Sequence, residues 1–226
     1  MTLPRAMPLL ALSLVAAVGT PAFAENNFYI GAAVGQSRFD GNAGDFDDAV
    51  IDAFGDNGLF IVDGNSSLDK TDTAFGGLIG YQILPTLAIE ASYVDLGKLS
   101  YTSSGTVSDG RFLYPATADF TVEAKGPTLS AVGRFPLGAQ WDLYVRGGAF
   151  FAKTKLRAGS SIGGFDGADE SSGDSVDSLA GGGVALHLGE RFALRTEYVR
   201  YFKVGDEDKT GEGDIDQFTV GFIYTL

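Results

Sequence analysis

From residue 216 to the end, every second side chain is large and apolar. Phe218, Val220, Phe222, Tyr224 and Leu226 fall on one face, and Gln217, Thr219, Gly221 and Thr225 on the other. A period of two is a β-strand whose faces meet different surroundings. A soluble sheet turns the greasy face to a core. A transmembrane barrel turns it to lipid and gives the lumen the small and polar groups. This stretch alone leaves a soluble sandwich and a membrane barrel both open.

The connections separate the two. Seven more alternating stretches precede it, at residues 28–36, 74–83, 87–96, 120–135, 141–153, 179–188 and 192–202. Stretches two and three are joined by Leu84-Pro85-Thr86, four and five by residues 136–140, and six and seven by Gly189-Glu190; long polar segments make the other joins. Tight and long connections therefore alternate strictly. Outer-membrane barrels follow that rule, with short periplasmic turns, long outer loops and an even strand count, and a soluble sandwich has no reason to. About ten residues per stretch suits a tilted crossing. The expected fold is all-β: an eight-stranded antiparallel up-and-down transmembrane barrel. Because hydrocarbon offers no hydrogen-bond partner, the eighth strand must close on the first. Pro127 forfeits a ladder bond, so an irregularity is expected there.

Residues 1–24 read as a signal peptide. Arg5 supplies the charge, residues 9–18 the short apolar run, and Ala22-Phe23-Ala24 the cleavage pattern, with the barrel domain in residues 25–226. The chain has no cysteine, which excludes a disulfide framework and a thiol site. Glycine, at 32 of 226 residues, is roughly twice ordinary usage, a composition that an outer-membrane barrel and a secreted all-β domain share. No window after the leader is long and apolar enough for an inner-membrane helix.

Eight strands leave an interior only wide enough for side chains. Parity puts Glu90, Arg146, Arg195 and Glu197 inside, with Arg134 as a fifth charge, and opposite signs should meet because an unpaired charge is costly there. A packed polar plug is the expectation; an ion gate is the sharper alternative. Arg200 carries lipid-side parity near the outer rim, where it can snorkel to anionic head groups. Phe28, Tyr81, Trp141, Phe192 and Tyr224 suggest a turn-side aromatic girdle; Tyr93, Phe151, Tyr198, Tyr201 and Phe218 suggest a loop-side one.

Three segments carry a resemblance: Ala74-Phe75-Gly76-Gly77 with Gly80-Tyr81-Gln82, Leu194-Arg195-Thr196-Glu197-Tyr198, and Lys203-Val204-Gly205-Asp206. In order and spacing they resemble the OmpA-type transmembrane domain and the wider group of small outer-membrane barrels. Thr219, Gly221, Tyr224 and Leu226 resemble the signal read by the outer-membrane assembly machinery. The resemblance implies an outer-membrane protein with both termini periplasmic. It implies roles in envelope integrity, adhesion or host contact, seldom catalysis, and handling by periplasmic chaperones. Two departures are plain. Ala33, Val132 and Ala185 stand where the family often has lysine or glutamate, giving a thinner charge plug. The sequence also ends with the barrel, so the expectation omits the peptidoglycan-binding domain of longer relatives.

The formal charge of −13 becomes −14 once Arg5 leaves with the signal. Acid concentrates in the long connections, with nine aspartates in residues 37–72 and further runs in 166–177 and 206–216. Such a surface argues against nucleic acid as a partner. It suits solvated loops, or bridging to lipopolysaccharide through divalent cations. Residues 46–54 have helical spacing and suggest a short helix capping the mouth. Asp206, Asp208, Thr210, Glu212 and Asp214, with Gly211 at the sixth place, have the spacing of a calcium loop, but Gln217 stands at the twelfth. No cofactor is expected. The single histidine, His187, has lumen parity at the turn-side end, and the sequence supports no Ser–His or Asp–His pairing for it. The reading is therefore a monomeric, non-enzymatic structural or contact barrel. A narrow channel and a lipid-modifying enzyme are the alternatives.

Overall fold

A computed structural model describes residues 27–226; the signal-peptide reading lies outside the described residues. The elements in order are β1 (Phe28–Phe39), α1 (Ala43–Asp56), β2 (Phe60–Asp69), β3 (Thr71–Leu84), β4 (Leu87–Ser108), β5 (Leu113–Pro136), β6 (Trp141–Ile162), β7 (Phe165–His187), β8 (Phe192–Val204) and β9 (Gly213–Thr225). Strands β3 to β9 pair antiparallel with their chain neighbours, and β9 returns to β1 from Tyr29↔Thr225 to Phe39↔Ile215. With β1 paired to β3, eight strands close a ring. β2 lies outside it, continuing the line of β3 along the upper half of β4 from Phe60↔Ser108 to Asp69↔Ser100.

The faces alternate as a lipid-embedded ring requires. Along β8, Phe192, Leu194 and Tyr198 are 43%, 39% and 48% exposed, whereas Ala193, Arg195 and Val199 are 7%, 7% and 2%. The same greasy outer face runs through Ile30, Ile79, Ile89, Leu129, Val145 and Phe222. On the turn side, Phe28 and Tyr81 rings lie 4.7 Å apart, and Phe192 stands 5.1 Å from Tyr224 and 5.4 Å from Phe222. Aromatic side chains thus form two cross-strand groups at that end, one on β1 and β3 and one on β8 and β9.

Three expectations are corrected. The long connections are largely strand: β4 to β7 run 22 to 24 residues each. At ~3.3 Å per residue such a strand is ~70 Å long, about twice what a tilted crossing uses. Past the membrane there is no lipid to demand an apolar face, so Thr102-Ser103-Ser104-Gly105-Thr106 pairs as strand while reading as loop. Second, Tyr201 does not belong to the loop-side girdle. It is 2% exposed, points inward, meets Phe150 edge-on at 5.0 Å and donates to Gln217 Oε1 at 2.9 Å. Its parity is that of Arg195 and Glu197. Third, the plug is not wholly polar. Its loop-side half is an apolar cluster including Leu96, Phe150, Leu179, Val199 and Tyr201, and its turn-side layer holds Tyr29, Ala88, Val132 and Tyr144.

At Pro127 the ladder to β6 skips residues 126–127, while Tyr93↔Pro127 holds on the β4 side. The register slip sits instead on β4 between Asp95 and Lys98, where Gly97 adopts φ +70°. A glycine in the left-handed region beside an antiparallel partner is the ordinary way to place a bulge.

The β1–β9–β8 side of the wall is low and the β4–β7 side tall. α1 leans into the cup so formed. Asn42 caps it by accepting from Gly44 N, and Val50 and Phe54 bury against Tyr101, Val107 and Ala116. The helix is longer than residues 46–54 at both ends.

Candidate functional site

The lumen is the first candidate. β4 delivers Glu90, β6 Arg146, and β8 Arg195 and Glu197, which share a face because they are two apart on a strand. Arg195 Nη1 lies 2.6 Å from Glu90 Oε1 and Nη2 lies 3.3 Å from Glu197 Oε1. Arg146 Nη1 reaches Glu197 Oε1 at 3.2 Å and stands 3.8 Å from Glu90 Oε2. The two carboxylates and two guanidiniums make a neutral ring, each residue at least nine-tenths buried. Neutral groups add to it. Tyr29 donates to Glu90 at 2.8 Å, Arg146 Nη2 donates to Ser130 at 2.8 Å, and the Arg195 guanidinium lies 4.0 Å over the Tyr144 ring. Tyr29 has room because its cross-strand partner is Gly80; a Cβ there would meet the Tyr29 ring at 2.1 Å. The apolar loop-side cluster covers the layer on one side, and each of its four residues is buried, so its charges sit where separating them is expensive.

Arg134 does not join this ring. At the turn-side mouth it binds Asp142 Oδ2 at 2.5 Å and Gln82 at 3.0 Å. His187 Nε2 lies 2.9 Å from the same Asp142 oxygen, an Asp–His pairing that sequence spacing gives no hint of. It arises because Asp142 pairs with Ala185 across β6 and β7, and His187 lies two residues further on the same face. These groups line a cavity of 80 Å³ below the ring.

The outer face holds the acid. Arg200 is held by a partner within the protein: it grips Asp216 through Nε and Nη2, both at 2.6 Å, and Tyr198 donates to the same carboxylate at 2.6 Å. The two are cross-strand partners on β8 and β9. The calcium-like residues are dispersed. Asp206 takes Lys209 at 2.9 Å, Glu212 takes Lys203 at 3.6 Å, and Asp214 accepts from Lys203 N. Thr210 Oγ1 pairs with Thr154 at 2.8 Å. Among the described residues, no three His, Cys, Asp or Glu side chains gather as a metal site.

Beyond the membrane, several acids have a structural task. Asp47 of α1 accepts from the Tyr101 hydroxyl at 2.6 Å, which holds its carboxyl below the usual range. Asp109 in the β4–β5 turn is held low by the backbone N–H groups of Phe112 and Arg111. Glu170 is held low by Arg157, which also binds Glu123 at 2.6 Å. The tips remain greasy: Phe112, Leu113 and Phe165 are exposed.

Residues 23–226 match the OmpA-like transmembrane domain family. The chain belongs to that family. It is similar to outer membrane protein A of Serratia marcescens, 27% identical over 215 residues, covering 95% of this chain and 53% of the relative. Its likeness to outer membrane protein A of Escherichia fergusonii is 25% over 201 residues, covering 89% and 48%. The chain therefore spans about half the length of the curated relatives it matches. Among solved structures, Neisserial surface protein A aligns at TM-score 0.45 and 16% identity, covering 88% of this chain and 97% of that one. The N-terminal β-barrel domain of Pseudomonas aeruginosa OprF aligns at TM-score 0.42 and 14% identity, covering 89% and 98%. An OmpA-like barrel of this kind is an outer-membrane protein. The segments that carried the resemblance lie on β3, on β8 and at the β8–β9 loop, and Thr219, Gly221 and Tyr224 lie on β9 with Leu226 just past it.

Proposed function

We propose that this chain is a structural and surface-contact barrel with a bore closed by side chains, and that its tall outer hairpins make the contacts. The observation that carries the reading is the neutral ring of Glu90, Arg146, Arg195 and Glu197, covered on its loop side by the apolar cluster of Leu96, Phe150, Leu179, Val199 and Tyr201. An ion passing through would have to part four mutually paired buried charges, which costs several kcal/mol. The chain works as a monomer without a cofactor, its termini in the periplasm. Lipopolysaccharide meets the acidic rim through divalent cations, and nucleic acid is repelled. Chaperones deliver the chain, and the assembly machinery reads Thr219, Gly221, Tyr224 and Leu226.

The decisive test is planar-bilayer recording of the refolded protein, alone and as Arg146→Ala. Closed traces for the parent support the reading. Stable unitary conductance in the parent that Arg146→Ala alters would replace it with the narrow-channel reading. The enzymatic alternative is tested separately by lipid-hydrolase and acyl-transfer assays of the parent and of His187→Ala. Turnover lost on removing His187 would establish that alternative.

A further inference from the structure

The loop-side cup contains a cavity of 440 Å³ that the barrel's architecture does not need. Its floor is apolar: Phe39, Leu99, Phe120, Val122, Leu156 and Ile215 come from five strands of the ring. Phe46 of α1 forms part of one wall and stands 6.3 Å from Phe120, ring to ring. The other wall is the β8–β9 loop. There the chemistry changes: Asp40, Glu207, Asp208, Glu212 and Asp214 line the cavity against a single cation, Lys209. Lys209 is already bound to Asp206, and among the described residues Asp40, Glu207 and Asp208 have no cationic partner.

We propose that this cup binds a small amphipathic cation, with an aliphatic or aromatic body in the floor and an ammonium at the acidic rim. The volume lies in the ~300–1,000 Å³ range of small-molecule sites, and a mostly apolar lining with a few convergent polar groups is their usual make-up. The sign of the rim selects the head group. A fatty acid or a lipid phosphate would bring its anion against unpaired carboxylates. An ammonium gains Coulomb energy there, while Phe39, Phe46 and Phe120 offer apolar surface to the body it carries. The site lies wholly on the outer side of the ion-paired ring, so it serves capture at the surface whether or not the bore conducts.

The test uses refolded full-length protein in micelles, titrated by calorimetry with 4-phenylbutylammonium, 4-phenylbutanoate and 4-phenylbutanol. The expected order is amine first, with the acid at least tenfold weaker and the alcohol between them. Affinity for the amine alone should fall with added salt. Val122→Trp, which fills the floor, should abolish saturable binding of all three. Glu207→Gln with Asp208→Asn should bring the amine close to the alcohol while leaving the alcohol unchanged. Equal binding of amine and acid, or amine binding indifferent to both sets of changes, would show partition into the micelle and overturn the site. Heat-modifiable gel mobility establishes that each variant has folded. The charge-only variant still decides the matter if the tryptophan variant does not fold.

Discussion

Replacing Arg195 by methionine tests how the bore is held. Arg195 is 7% exposed, and its guanidinium lies 2.6 Å from Glu90 and 3.3 Å from Glu197. Methionine keeps much of the volume beside Tyr144 and removes only the charge and the donors. The ring then passes from neutral to one net negative charge. Glu90, 1% exposed, retains the Tyr29 hydroxyl at 2.8 Å and a longer approach to Arg146 at 3.8 Å. Breaking a buried pair from one side costs ~3–5 kcal/mol, mostly the penalty on the charge left behind. With a urea slope of about 2 kcal/mol per molar, the unfolding midpoint should fall by roughly 1.5–2.5 M. Reversible urea unfolding in lipid vesicles, followed through the single tryptophan Trp141, reads this directly. Adding Glu90→Gln to Arg195→Met should recover more than ~1 kcal/mol relative to the sum of the two single losses. A single-variant loss below ~1 kcal/mol, or strict additivity in the double, would refute the claim that these charges depend on one another.

The other predictions are shorter. Gly80→Ala should cost ~1–3 kcal/mol in the same assay, because the new methyl overlaps the Tyr29 ring and lifts its hydroxyl from Glu90. Leu194→Arg on the outer face should destabilise the barrel in vesicle refolding by more than Thr102→Arg on the outer extension, which serves as a near-neutral control. The depressed Asp47 carboxyl means that the Tyr101–Asp47 contact helps hold α1 at neutral pH. That help is fully present above the unfolded pKa of about 4 and is lost as pH falls through the lower folded value. Hydrogen-exchange protection along residues 43–56, taken relative to the intrinsic rate at each pH, should therefore fall in that window, and Asp47→Asn should show the low protection already at pH 7.

Much of the ring is legible in the sequence because lipid and lumen impose opposite demands on neighbouring residues. Ile89 beside Glu90 and Leu194 beside Arg195 each state a face without ambiguity. Position near a strand end suggests a girdle place for Tyr201, whereas its parity, that of Glu197, turns it inward. The tall hairpins escape notice for a physical reason: outside the membrane the outer face meets water and the inner face is covered only where α1 packs on Tyr101, Val107 and Ala116, so the period-two contrast fades into serine, threonine and glycine. The apolar loop-side half of the bore also needs the register. Leu96, Phe150 and Leu179 stand on three strands, and only the stagger between those strands brings them together. The Asp142–His187 pair and the Arg200–Asp216 grip likewise depend on cross-strand partners that spacing alone cannot supply.

The direction in which side chains face is the claim beneath all the others, and β9 measures it most directly. The chain has no cysteine, so Gln217→Cys, Phe218→Cys, Thr219→Cys, Val220→Cys and Phe222→Cys each give one labelling site. A fluorophore at each, in vesicles of bromine-labelled lipid, should be quenched strongly at 218, 220 and 222 and weakly at 217 and 219. Quenching that ignores this alternation, or that is stronger at 217 and 219, would mean that the apolar face does not meet lipid.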